Sequence, residues 1–528
     1  MWSLRSSTLA SSAAVILSLS SSLLHAQTTP SPEEQALRQR VEDLERKLKQ
    51  LEDRLEQQAR PAQDAVPTAA GTPAGPSEAA KPPEPSPQEQ AMQKQINELN
   101  QQVKTLERKE QSVEAATEKS KTVLPVAPGV RPGLVLTSPS SPFQLRFGGI
   151  VQVDYREFFG QSSPPPQSGV DTFLLRRIRP IFEGGYDDFG FKIMPDFGNG
   201  SNSTPTSAPT PQIFDAWIYA NLNPALNLKI GKMKAPLGLE ELQEDVNLAF
   251  PERAFPSNLI PNRDIGLQAS GAVFNRTLNY AAGVFDGAVD GTNVGTGDFN
   301  NGKDVNLRLF AQPWKNTDLK PLRGLGFGVG YGFGVQSGSL GTPALPIYLT
   351  PGQQTWFAYN AGAFANGRRE SWAPQLYYSI GPVGLLGEWT NTAQDFTRSA
   401  NTQTVSNNAW QVQLTWVLTG EDASYLGVTP SQSFSLKQRR WGSVELVARV
   451  SQLRVDSDAF VGTAATQLAN PNTNPNRATD YGIGLSWDLS REVRIMFTYD
   501  QTKFDGGAPN GANRPDEKVL ITRFQYAL

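Results

Sequence analysis

The chain has 528 residues, no cysteine, a single histidine, a formal net charge of -3 and a mean hydropathy of -0.39. That composition excludes a helical membrane protein, because no internal stretch reaches the roughly 18 apolar residues a spanning helix needs, and the charge balance offers no basic field for nucleic acid. The one histidine, His25, lies in a segment expected to be removed. The mature chain then lacks the commonest general base, metal ligand and reactive nucleophile, so no catalytic residue, metal or cofactor is expected.

Residues 1–26 read as a secretory signal: Arg5 gives a basic start, Leu9 to Leu19 an apolar run, and Ala26 the small residue of a cleavage site. Across 27–60, Leu37, Val41, Leu44, Leu48, Leu51 and Leu55 recur in alternating steps of four and three, the spacing of a coiled coil. Ser31-Pro32-Glu33-Glu34 supplies its N-cap, first-turn proline and acidic first turn. Residues 61–90 are rich in Pro and Ala and read as an extended linker. A second coiled-coil helix is predicted over 91–121 from Met92, Ile96, Leu99, Val103 and Leu106, and a Pro-rich linker over 122–142.

From 143 to 528 the texture changes to segments of about ten residues with apolar and polar side chains alternating. Between them stand turn signals such as Asn199-Gly200, Asn301-Gly302, Asn366-Gly367 and Asp505-Gly506. Strands of that length suit a tilted bilayer crossing, whereas those of globular proteins average about five or six residues. In the last segment Leu520, Thr522, Phe524, Tyr526 and Leu528 share one face, for lipid, while Arg523 and Gln525 lie on the other, for water. About sixteen such segments predict an all-β fold: a transmembrane antiparallel β-barrel enclosing an aqueous channel, preceded by a short α-helical coiled coil. Closure would satisfy every backbone polar group inside the membrane.

Specific motifs lie within the barrel region. Residues 229–242 read Lys-Ile-Gly-Lys-Met-Lys-Ala-Pro-Leu-Gly-Leu-Glu-Glu-Leu, followed by Pro251-Glu-Arg-Ala-Phe-Pro and Pro261-Asn-Arg-Asp-Ile-Gly-Leu-Gln. With Phe147-Gly-Gly-Ile-Val-Gln-Val-Asp-Tyr, Leu174-Leu-Arg-Arg-Ile-Arg-Pro and Leu418-Thr-Gly-Glu, this resembles the phosphate-selective porin O and P family over about residues 143–528. The resemblance implies a sixteen-stranded barrel in the outer membrane, a homotrimer, and a long third loop folded inward to narrow each pore. It also implies basic residues that guide anions, the family's paired arginines falling on Arg176 and Arg177. Alternation puts Arg177 and Arg179 on one face, and Arg176 on the other unless a bulge turns it.

The pore-lining candidates are Arg176, Arg177, Arg179, Lys229, Lys232, Lys234, Glu240, Glu241, Arg253 and Arg263. Two departures bear on phosphate: Ile150 and Glu241 stand where phosphate-binding members carry basic residues. The candidate pore loop, about Ala235 to Asp264, holds six carboxylates against Arg253 and Arg263. Carboxylates in a narrow passage repel phosphate, so weak phosphate selection is expected. The expected function is passive diffusion of small ions and hydrophilic solutes through the outer membrane, with the N-terminal region in the periplasm. The alternative is a structural tether, the coil linking the outer membrane to the cell wall.

Overall fold

The computed structural model describes scattered residues between 40 and 54, the helix at 87–120, and residues 133–528 apart from 139–140, 161–168, 199–210, 296, 299 and 400. The expected signal, most of the first coil and its linker, and the Asn199-Gly200 turn lie outside the described residues. The chain divides into two compact units, Met1–Thr122 and Val123–Leu528.

In the first unit the described residues from Arg40 to Arg54 are helical, and α1 spans Pro87–Ser120. On α1, Ile96 and Val103 are buried and Leu99 and Leu106 half-buried, while the described side chains between them are exposed. These four form the stripe picked out by the heptad spacing.

The second unit is built from β1 (Leu134–Thr137), β2 (Phe143–Phe158), β3 (Thr172–Tyr186), β4 (Phe189–Asp196), β5 (Gln212–Asn223) and β6 (Leu226–Lys234). There follow α2 (Leu239–Leu242), β7 (Arg263–Val273), β8 (Leu278–Phe285), β9 (Asp304–Ala311), β10 (Gly326–Ser337), β11 (Ile347–Leu349) and β12 (Thr355–Ala358). The chain then runs through β13 (Ala363–Ile380), β14 (Val383–Arg398), β15 (Asn401–Val417), β16 (Ser443–Arg454), β17 (Pro475–Asp488), β18 (Val493–Gly506) and β19 (Glu517–Ala527).

Strands β2–β10 and β13–β19 pair with their neighbours in sequence, all antiparallel, and β19 closes on β2 from Val519↔Phe158 to Ala527↔Ile150. The result is a closed barrel of sixteen strands without a free edge, the form that satisfies the backbone inside lipid. β1 pairs with the first residues of β2, from Leu134↔Phe147 to Thr137↔Gln144. It lies in line with β19, whose neighbour Leu528 exchanges backbone hydrogen bonds with Gly149. The segment expected as a Pro-rich linker therefore contributes a strand to the barrel rim.

Alternation decides the two faces. Val151, Leu175, Ile218, Ile230, Leu267, Leu309, Val412, Ile483 and Phe497 are exposed on the outside. Residues of the opposite parity on the same strands, such as Gln152, Arg494 and Asp500, are buried inside. In β19, Phe524 and Tyr526 point out while Arg523 and Gln525 point in. The expected turn at Asn366-Gly367 lies instead inside β13, as a bulge. The register shifts between Ala365 and Arg369, Gly367 adopts φ +134°, and the Arg368 amide donates to the Asp395 carboxylate at 2.9 Å. An Asn-Gly pair marks positive φ, which a bulge supplies as readily as a turn.

Two loops at the long-loop end fold inward. Residues 235–262, between β6 and β7, carry α2 and a 3₁₀ turn (Phe255–Leu259) and are largely buried. Residues 338–362 carry the β11–β12 hairpin, whose Tyr348, Trp356 and Phe357 form a core with Phe255, Leu259 and Phe396. Asn258 fastens the two loops together: its Nδ2 donates to the Leu349 carbonyl at 3.3 Å, and its Oδ1 accepts from the Leu349 amide at 3.1 Å. Loops 338–362 and 235–262 thus plug part of the lumen with apolar side chains.

Candidate functional site

The pore loop is held against the wall at several points. β10 reads Gly-Phe-Gly-Val-Gly-Tyr-Gly-Phe-Gly, and its glycines occupy the inward positions. A Cβ on Gly330 would stand 2.4 Å from the Leu237 carbonyl oxygen, so the bare backbone lets the loop lie flat on the wall. Farther round, the Glu388 carboxylate accepts from the amides of Leu239 at 2.5 Å and Glu240 at 3.3 Å, the orphan donors at the start of α2. Glu240 accepts from the Ala254 amide at 2.8 Å and from Gln411 Nε2 at 2.9 Å. Glu240 is thus an anchor of the loop, not a pore-lining group.

The loop's remaining acidic groups meet arginines. Glu252 accepts from Arg176 at 2.6 Å and 3.0 Å, from Arg156 at 3.0 Å and from Arg523 at 2.8 Å. Asp245 pairs with Arg179, with Arg253 at 2.5 Å and with Arg177 at 3.4 Å. Glu241 faces Arg253 at 3.1 Å and Arg263 at 3.7 Å. Burial by itself would raise the Asp245 carboxyl, but the guanidiniums of Arg177, Arg253 and Arg179 hold it well below the usual carboxylate range. At Glu252 burial acts in the same direction and is likewise overcome, here by Arg176, Arg177 and Arg523. The expected free acidic field is therefore corrected: Glu241, Asp245 and Glu252 are neutralised by cations from the wall and from the loop itself.

Arg176 reaches the lumen through a bulge. In the β2–β3 ladder Gln152 faces Arg177 and Val153 faces Leu175, which leaves Arg176 as the extra residue. Both members of the Arg-Arg pair thus point inward, as does Arg179, which also pairs with Asp196 of the wall at 2.7 Å. Arg179 and Arg263 stack on the two sides of the Phe214 environment, 3.5 Å and 3.7 Å from its ring centroid.

Two cavities flank the loop. The first, of about 260 Å³, lies toward the long-loop end. It is lined by Arg176, Arg177, Arg179, Arg253 and Arg263, with Glu241, Asp245 and Glu252. The second, of about 580 Å³, lies toward the short-turn end and is lined by Lys192, Lys229, Lys234 and Arg308, with Asp215 and Glu244. Residues 241–245 form the septum, since Glu241 and Asp245 face one cavity and Leu242 and Glu244 the other. Each cavity has more cations than carboxylates. Lys229 lies 4.6 Å from the Trp217 ring centroid, and Lys234 Nζ donates to the Gln243 carbonyl at 2.7 Å.

Lys232 lines neither cavity. It shares the face of exposed Leu228 and Ile230, and its Nζ donates to the carbonyls of Val294 at 2.5 Å and Gly295 at 3.3 Å. Several lumen cations were absent from the sequence candidates, among them Arg156, Lys192, Arg308 and Arg523. Arg156 was legible as the third inward residue in the alternation Gln152, Asp154, Arg156. Lys192 and Arg308 gave no such signal beyond parity. Among the described residues no group of three metal-ligating side chains occurs.

A closed barrel with an apolar exterior, a charged lumen and a loop folded across it is an outer-membrane channel of the porin class. The model of the family "phosphate-selective porin O and P" matches residues 145–528, and the chain belongs to that family. Among solved structures it is similar to the outer-membrane channel DcaP of Acinetobacter baumannii (11% identity, 74% of this chain and 99% of that one, TM-score 0.45). It is similar also to OmpT of Vibrio cholerae (11% identity, 75% and 100%, TM-score 0.44) and to an anion-selective porin from Comamonas acidovorans (11% identity, 73% and 100%, TM-score 0.44). No curated protein matches the sequence.

Proposed function

We propose that this channel passes small hydrophilic solutes with a preference for anions, inorganic phosphate among them, by passive diffusion. The observation that carries the reading is the pairing of the loop's carboxylates. With Glu241, Asp245 and Glu252 neutralised, the surplus guanidiniums of the first cavity set its sign, and Lys192, Lys229, Lys234 and Arg308 continue that sign into the second. An anion would leave water for Arg176, Arg177, Arg179 and Arg263, pass the septum at residues 241–245, and be received by lysines. Guanidiniums suit this task because their planar donors match the oxygens of phosphate or carboxylate, while their partial pairing keeps binding weak enough for release.

The test is the reversal potential of the purified protein in a planar bilayer under a KCl gradient, followed by titration with phosphate. A reversal potential on the chloride side and a concentration-dependent reduction of chloride current by phosphate are expected. A cation preference would overturn the proposal. No observation among the described residues favours the envelope tether.

A further inference from the structure

The connection between β15 and β16, residues 418–442, is the longest on a rim whose other links, apart from residues 312–325, are short turns, and short turns mark the periplasmic side of bacterial barrels. Its distal part, Ser431-Gln-Ser-Phe-Ser-Leu-Lys-Gln-Arg-Arg-Trp441, holds three cations and no carboxylate. This part is ordered as a small hairpin. Ser435 and Arg440 form an antiparallel bridge with both backbone hydrogen bonds at 3.0 Å, and Arg439 adopts φ +51° at the turn.

The hairpin lies on the outside of the barrel. Trp487 of β17 follows Tyr481, Ile483 and Leu485 on the lipid-facing side. Against it pack Phe434, edge-on at 5.4 Å between centroids, and Trp441 at 6.3 Å. The contact is fixed by the Trp487 indole N–H donating to the Trp441 carbonyl at 2.6 Å and by the Phe434 amide donating to the Leu489 carbonyl at 2.6 Å. Leu436 nevertheless remains 76% exposed and Trp441 63% exposed. Lys437 and Arg439 are exposed beside them, and the enclosed Nε of Arg440 has no hydrogen-bond partner among the described residues. The aromatic surface is continuous with the outer belt through Trp487, and Trp416 of β15 adds another exposed indole to that belt.

We propose that hairpin 434–441 is a binding site for anionic phospholipid headgroups of the periplasmic leaflet. Leu436 and Trp441 occupy the boundary between headgroups and acyl chains, where an amphipathic indole is most favourably placed. Lys437, Arg439 and Arg440 belong to the same hairpin and donate to the lipid phosphate. The carboxylates of the same connection do not compete at the tip: Glu421 is occupied by Thr419 and by Ser431, and Asp422 stands on the opposite limb. The site follows from the barrel's place in the membrane and is independent of ion preference in the lumen.

Native mass spectrometry of the full-length protein tests this, with micelles supplemented by phosphatidylglycerol or by phosphatidylcholine. The wild type is expected to retain phosphatidylglycerol over phosphatidylcholine. The triple variant Lys437→Gln, Arg439→Gln, Arg440→Gln should lose at least threefold of the retained phosphatidylglycerol and none of the phosphatidylcholine. Heat-modifiable migration on a denaturing gel checks that the variant barrel is closed. If the triple variant fails that check, the single variant Arg439→Gln, whose side chain is exposed, should halve retention. Equal retention by wild type and variant would overturn the site. So would loss of the oligomer with phosphatidylglycerol retention unchanged, which would make the hairpin a contact between copies of the chain.

Discussion

Replacing Arg177 and Arg179 together with glutamine removes two of the five guanidiniums of the first cavity and leaves three, equal in number to Glu241, Asp245 and Glu252. A sphere of about 260 Å³ has a radius of about 4 Å, so a chloride at its centre lies about 6 Å from each removed charge. In water-filled space each contributes about 0.7 kcal/mol at that distance, and screening at 0.1 M salt roughly halves it, giving ~0.75 kcal/mol for the pair. Chloride loses this stabilisation and potassium is relieved of an equal repulsion, so the permeability ratio shifts by ~1.5 kcal/mol, about tenfold toward cations. Asp245 keeps Arg253 at 2.5 Å, so the loop stays docked and unit conductance should change less than selectivity. Reversal potentials in a KCl gradient measure the ratio directly. A ratio within about twofold of wild type would refute the claim that these arginines set the field of the first cavity.

Three other perturbations probe the loops. Trp356→Ala removes the centre of the aromatic plug, a truncation that costs about 3–5 kcal/mol in a packed core. Because the barrel ladder does not include β11 and β12, single-channel conductance should rise while the barrel still closes, and unchanged conductance would show that the plug does not border the path. Gly330→Val places side-chain atoms where Leu237 lies and should displace the pore loop, seen as altered conductance with barrel assembly intact; wild-type conductance would mean the loop does not rest on β10. The pH profile follows from Asp245 and Glu252, whose carboxyls lie well below the ordinary range in the folded protein. A depressed acid contributes stability that is full above its unfolded value near pH 4 and is lost as pH falls through its folded value. The conductance difference between wild type and the Asp245→Asn, Glu252→Gln variant should therefore hold from pH 7 to about pH 4 and shrink only below, whereas loss of that difference near pH 5 would show that these carboxyls are not paired.

Alternation made the barrel legible in the sequence. Because the side-chain period of a strand is two residues and one face meets lipid, β19 announced its two faces through Phe524, Arg523 and their neighbours. The same rule placed Arg177 and Arg179 in the lumen, and the family resemblance implied the inward-folding loop that the structure shows between β6 and β7. It failed where the backbone leaves the regular pleat. Arg176 enters the lumen through one extra residue in the β2–β3 ladder, and Asn366-Gly367 bends a strand without ending it. Lys232 has the right charge in the right segment but the parity of the outer face.

The sequence by itself determined what depends on near neighbours: strand period, the lipid-facing belt, the motifs of the family and the basic character of the segments that line the pore. Only the tertiary structure decided which charges remain unbalanced. Glu252 is distant in sequence from Arg156, Arg176 and Arg523, yet one carboxylate touches all three. Such pairings depend on barrel closure, because Arg156 on β2 and Arg523 on β19 become neighbours only when the last strand joins the first. A count of loop carboxylates describes a repulsive gate, whereas their partners, supplied from across the closed sheet, turn the same residues into anchors and leave guanidiniums to face the solute.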